Sequence, residues 1–80
     1  MNRGEPNERI TIDPNVLLGK PTIRGLRISV EQILRALAGG VSHDDLLKDY
    51  PELEREDILA CIAYAAALVS SERVYPVEAE

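Results

Sequence analysis

"ISVEQI" (residues 28–33), "VSHDDL" (41–46) and "LEREDI" (53–58) share one layout. Each has an apolar residue, a capping position, two intervening residues, an acid or amide, and a second apolar residue. The outer pair fits the N′ and N4 positions of a hydrophobic staple, which fixes how a chain enters a helix. Ser29 with Gln32 makes a capping box, and Ser42 with Asp45 a shorter version of one. Glu54 is a poorer N-cap, yet the acids after it favour the positive end of a helix dipole. Helices are predicted to start at 29, 42 and 54.

Helix 1 places Val30, Ile33, Leu34 and Leu37 on one face and stops at Gly39-Gly40. Helix 2 turns Leu46, Leu47 and Tyr50 inward and ends before Pro51. Helix 3 runs from Arg55 to about Ser71, with a core stripe of Ile58, Ile62, Ala65, Ala66 and Val69 and Cys61 beside it. It is apolar almost all round from 58 to 69, and so small a domain cannot bury both sides. Dimerisation is the expected resolution, with Leu59, Tyr64 and Leu68 at the interface or with the N-terminal strands paired.

Upstream, "MNRGEPNE" (1–8) is polar and aperiodic and reads as a flexible tail. "RITID" alternates apolar and polar residues and predicts a short strand around Ile10 to Ile12. Asp13-Pro14-Asn15 and Gly19-Lys20-Pro21 are breaks. Thr22 to Ile28 reads as a hairpin with Gly25-Leu26 as a type II′ loop. That register sets Arg24 opposite Arg27, a repulsive pair, and Ile23 opposite Ile28 on the other face. The end, "RVYPVEAE", has no clear period. The expected organisation is a tail over 1–8, one domain over 9–71 and a flexible C-terminal tail over 72–80. The expected fold is mainly α: a trihelical helix-turn-helix bundle preceded by a short N-terminal strand and a β-hairpin.

An 80-residue chain is one domain near the size where a single core barely suffices. One cysteine allows no internal disulfide, and no signal-like or membrane-spanning run is present, so a cytoplasmic setting is expected. The net charge of −5 hides an asymmetry. Residues 1–40 hold six basic groups against four acidic ones, and residues 41–80 three against ten. A basic surface for an anionic partner is one reading of that split, and ordinary solvated faces are the other.

Catalysis is not expected. His43 is the only histidine and lies in the first turn of helix 2, while Cys61 sits mid-helix among alanines. No nucleophile has a histidine within plausible reach, no metal or cofactor site is indicated, and Gly19-Lys20 lacks the spacing of a phosphate loop. Glu52, Glu54, Glu56 and Asp57 are explained by capping and solubility. For nucleic acid, the start of helix 3 is acidic and only Arg55 could reach a guanine edge. The cations available for phosphates or a protein partner are Lys20, Arg24, Arg27 and Arg35. The alternative is that Arg24 and Arg27 pair with carboxylates of this chain, such as Asp13 or Glu31.

The residues from about 9 to 69 resemble family 433 of domains of unknown function, small bacterial and archaeal proteins. Its pattern is matched by Ile10, Pro14, Gly19, Lys20, Pro21, Ile23, Gly25, Arg27, Ile28 and Val30, then by Gly40, Ser42, Tyr50, Pro51, Leu53, Asp57, Ile58 and Tyr64. Leu26 and Glu54 stand where the family usually has threonine. The resemblance implies a homeodomain-like helix-turn-helix and an antitoxin role beside a toxin with a PIN-like ribonuclease fold. Joined to the dimer expected from helix 3, it gives a homodimeric antitoxin that binds that toxin, with double-stranded operator DNA as a further ligand. A regulator without a toxin, or an interaction module without DNA contact, are the alternatives. On this reading Arg24 and Arg27 form a two-pronged anion grip with Leu26 between them as an apolar contact.

Overall fold

A computed structural model describes residues 6–71. Three helices, α1 (Val30–Ala38), α2 (His43–Asp49) and α3 (Arg55–Ser71), follow a two-stranded antiparallel sheet of β1 (Ile10–Ile12) and β2 (Pro21–Ile23). The mainly helical class is as expected, and all three helices begin where the repeated layout puts them. Pro6–Arg9, placed by the sequence at the edge of a tail, forms a 3-10 turn lying against α3. The remaining tail residues, 1–5 and 72–80, lie outside the described residues.

The three staples build the core. Ile28, Ile33, Leu46, Leu53 and Ile58 are buried, and Val41 packs against them. Burying a side chain of this size contributes roughly 1.5–3 kcal/mol, so these positions dominate a small core. The caps close as well. Ser29 Oγ accepts from the Gln32 N–H at 2.9 Å while Gln32 Oε1 accepts from the Ser29 N–H at 3.2 Å. Ser42 Oγ accepts from the Asp45 N–H at 3.1 Å. Glu54 makes no side-chain cap among the described residues; the Asp57 carboxylate reaches back to accept the Glu54 N–H at 2.8 Å.

Two details of the N-terminal region differ from the sequence reading. The regular strand pairing joins Ile10 to Ile23 and Ile12 to Pro21, and the 22–29 segment closes on itself by one bridge, Thr22 to Ser29. The tight turn is centred on Arg24-Gly25, not Gly25-Leu26. Both residues have positive φ, 47° and 74°, and the Leu26 N–H donates to the Ile23 carbonyl at 2.7 Å. That is type I′ chemistry, in which Gly25 serves the second central position. Ile23 and Ile28 do pair, through the Ile23 N–H and the Ile28 carbonyl at 3.0 Å. Arg24 and Arg27, however, are loop residues and not a cross-strand pair.

The phase of α3 also differs. Asp57, Ile58, Ala60 and Cys61 are buried and Tyr64 packs against the core, whereas Ile62, Ala66 and Val69 are exposed. Of the expected stripe, only Ile58 and half-buried Ala65 point the right way. The helix is turned by about 100°, one residue step, from the hydropathy reading. A helix apolar on every side carries no phase information of its own. What orients it is a carboxylate.

Candidate functional site

Asp57 is fully buried and is the junction of the molecule. Arg24 grips it from two directions, Nε to Oδ1 at 3.0 Å and Nη2 to Oδ2 at 2.8 Å. Arg9 Nη1 donates to Oδ1 at 2.8 Å, and the Glu54 N–H completes the shell. Arg24 Nη2 also donates to the Glu52 carbonyl at 2.8 Å, and Arg9 to Glu54 Oε1 at 2.9 Å. Burial alone would push the Asp57 carboxyl up. The hydrogen bonds from Arg24, the Glu54 backbone and Arg9 outweigh it and hold the group below the usual carboxylate range. A carboxylate with four donors is a strut, and it ties the N-terminal segment and the sheet to α3.

This overturns the anion grip. Arg24 pairs with a carboxylate of this chain, as the alternative expected, although that carboxylate is Asp57 and not Asp13 or Glu31, and its side chain stays about a third exposed. Leu26 is no exposed tip: it is half-buried and packs against the core. The other expected contact residues divide as follows. Lys20 Nζ and Arg35 Nε both donate to the Glu31 carboxylate, at 2.9 and 3.0 Å, and hold that carboxyl below its ordinary range. Arg55 Nη2 donates to Asp44 at 2.8 Å. Arg27 is exposed and has no ion-pair partner among the described residues. The junction was missed because its partners are far apart in sequence. Its only local signal was an acid at the N3 position of a helix whose N-cap is poor.

The expected interface residues do not share a face. Leu59 and Leu68 are both half-exposed, but nine positions apart they fall on opposite sides of the helix. Tyr64 belongs with the core. Leu59 groups instead with Ile62, Ala66 and Val69, an outward apolar strip along α3. Leu68 lines a cleft of about 390 Å³ between α1 and α3, with Leu34, Ala38 and Tyr64. A second cleft, of about 450 Å³, separates α1 from the turn at Leu17–Gly19. There Leu17 and Leu18 both have left-handed backbone, φ 49° and 58°, followed by Gly19 at 83°. That conformation costs roughly 1–2 kcal/mol for each non-glycine residue.

The family model described as "Protein of unknown function (DUF433)" matches residues 10–65. The chain belongs to the DUF433 family. The uncharacterized protein y4eO of Sinorhizobium fredii is 35% identical over 60 residues, which are 75% of this chain and 27% of that protein. A crystal structure of a DUF433 member from Anabaena variabilis aligns with a TM-score of 0.72 at 32% identity, covering 78% of this chain and 61% of that one. This chain therefore spans only part of the length of either relative. The match includes both strands, Lys20, Arg24 and Asp57, and ends before the last turns of α3.

Among the described residues of this DUF433 chain, no group of three His, Cys, Asp or Glu side chains is placed to hold a metal, and no helix is long and apolar enough to cross a membrane. Cys61 is fully buried, and burial, with the Asp57 charge adding to it, pushes its thiol up to about 11. It is packing material. The folded chain should leave Cys61 unreactive toward a thiol reagent at pH 7.5, with one equivalent reacting on unfolding. Cys61→Ala should cost on the order of 1 kcal/mol, read from urea unfolding. Rapid labelling of the folded chain would contradict both statements.

Proposed function

We propose that this chain is a non-catalytic binding protein that acts as a homodimer, the antitoxin partner of a PIN-like ribonuclease. The observation that carries the binding reading is the apolar strip Leu59, Ile62, Ala66 and Val69, left outward on α3 by the phase that Asp57 imposes. Leucine, isoleucine and valine side chains aligned over more than two turns of a helix mark a protein contact more than a solvated face. The antitoxin assignment rests on the family resemblance. Internal pairing of Arg24 with Asp57 and of Arg55 with Asp44 favours protein over DNA as the principal ligand, because it withdraws two of the expected contact cations from phosphates. Operator DNA is the second ligand in this reading, and exposed Arg27 is the residue that supports it.

Light scattering at micromolar concentration should give twice 8.8 kDa for the wild type. Leu59→Glu combined with Val69→Glu should give the monomer. A wild-type monomer would remove the dimer from this reading. Co-expression with an adjacent reading frame for a small PIN-like protein should yield a stable complex in which ribonuclease activity is suppressed. Separate elution of the two proteins with full nuclease activity would end the antitoxin assignment. A mobility shift on upstream DNA by the antitoxin alone, with no complex formed, would leave the regulator reading in its place.

A further inference from the structure

We propose that the cleft between the turn at Leu17–Gly19 and α1 docks an acidic segment of a partner protein that carries a leucine-sized apolar side chain. This deepens the protein-binding reading above and rests on it.

Leu18 is 96% exposed, more than any other large apolar side chain among the described residues. It stands there on a turn that is both strained and rigid. The Val16 N–H donates to the Asp13 carbonyl at 2.9 Å, the Gly19 N–H to Val16 at 3.0 Å, and the Lys20 N–H to Leu17 at 3.1 Å. Three consecutive left-handed residues at 17–19 are unfavourable for leucine. Leu18 gains nothing from burial that would offset that cost. An apolar side chain held out to solvent at a strained turn, beside the cleft's cations, is placed to meet a partner.

The charged groups on both sides of the cleft, Lys20 directly after the turn and Glu31 and Arg35 on α1, name the chemistry. Lys20 and Arg35 share the single carboxylate of Glu31, so the cleft carries one positive charge in excess. Both cations are more than half exposed, 56% and 78%. Arg35 spends only its Nε on Glu31, and its two Nη groups have no acceptor among the described residues. A guanidinium in that state is a ready bidentate donor to a carboxylate. On a chain of net charge −5 this is a local reversal of sign. The volume, about 450 Å³, suits two or three side chains of an extended segment. The excess charge and the uncommitted Arg35 Nη groups favour an acidic segment. Glu31 beside these cations disfavours a free phosphate dianion, and Leu17 and Leu18, which a sugar-phosphate backbone would leave without an apolar partner, favour an acidic protein segment over nucleic acid.

The test uses the isotope-labelled full chain and the peptide acetyl-Glu-Leu-Asp-Leu-amide. Saturable shifts should appear at the amides of Leu17–Lys20 and Glu31–Arg35, and a peptide with lysine in place of both acids should give none. Leu18→Ser and Arg35→Glu should each weaken binding at least tenfold, while Arg35→Lys keeps part of it. Both positions are exposed, so unchanged thermal melting confirms that folding is not what was lost. Shifts centred elsewhere, or none, would overturn the proposal. Equal shifts with inorganic phosphate or a DNA duplex would overturn it in favour of an anion site. Co-expression separates the two levels of inference. If the PIN-like neighbour co-purifies with wild type and equally with the Leu18→Ser, Arg35→Glu chain, the docking site falls and the antitoxin reading stands. If nothing co-purifies, that reading falls and the peptide titration alone decides the cleft.

Discussion

Asp57→Asn is expected to destabilise the chain by about 3 kcal/mol, the largest loss for any polar substitution among the described residues. The neutral amide cannot accept from two guanidinium groups and the Glu54 N–H at once, so donors that converge on a buried point lose their acceptor. The reciprocal cap on α3 weakens with it. For a chain of this length, total stability is roughly 4–12 kcal/mol, so a quarter or more of it rests on one carboxylate. The melting temperature should fall by roughly 12–24 °C. The same substitution should alter the response to acid. Because the folded carboxyl titrates below its ordinary range, its contribution is complete above the unfolded value of about 4. It is lost as pH falls below that through the folded value. Wild type should lose stability steeply in that window and Asp57→Asn much less. Equal slopes below pH 4 would show that the network is not what holds the fold in acid.

The second large effect separates two arginines that look alike in sequence. Arg24→Ala should cost about 2 kcal/mol, less than a fully buried pair because Arg9 and the Glu54 N–H still hold the carboxylate and the guanidinium is partly solvated. Arg27→Ala should change stability by less than about 0.5 kcal/mol. Thermal melts of the two variants side by side read the difference. A pair of equal melts would show that the Arg24 ion pair adds nothing to the fold and would revive the grip.

What the sequence made legible was local. Staples and caps are written within six residues, and Ile28 with Ile33, Leu46, and Leu53 with Ile58 went where that spacing sent them. The turn was misplaced by one because glycine suits either the first central position of type II′ or the second of type I′. Nothing local announces that an arginine will take the left-handed position beside it. The phase of α3 was illegible for a different reason. An all-round apolar helix presents several equivalent faces, and the choice among them came from charges 33 and 48 residues upstream. Among the expected interface residues Leu59 stays on the outward strip, whereas Tyr64 packs against the core and Leu68 lies on the opposite side of the helix. Of the expected contact residues, Lys20 and Arg35 remain at a surface cleft, now with Leu18, which sequence patterning gave no reason to single out.

The wide spacing of that carboxylate's partners bears on the order in which the chain assembles. The three staples join neighbours and can form within single helices, on the fast time scale of local contacts. The clasp at Asp57 must wait until residues 9 and 24 have both been brought back to the start of α3. Contacts made after the folding barrier act on the escape rate and not on the entry rate. Asp57→Asn should therefore leave the refolding limb of a chevron almost unmoved and accelerate unfolding by on the order of a hundredfold for 3 kcal/mol. The clasp works as a latch: it has little part in how fast the chain folds, and it sets how long each molecule stays folded.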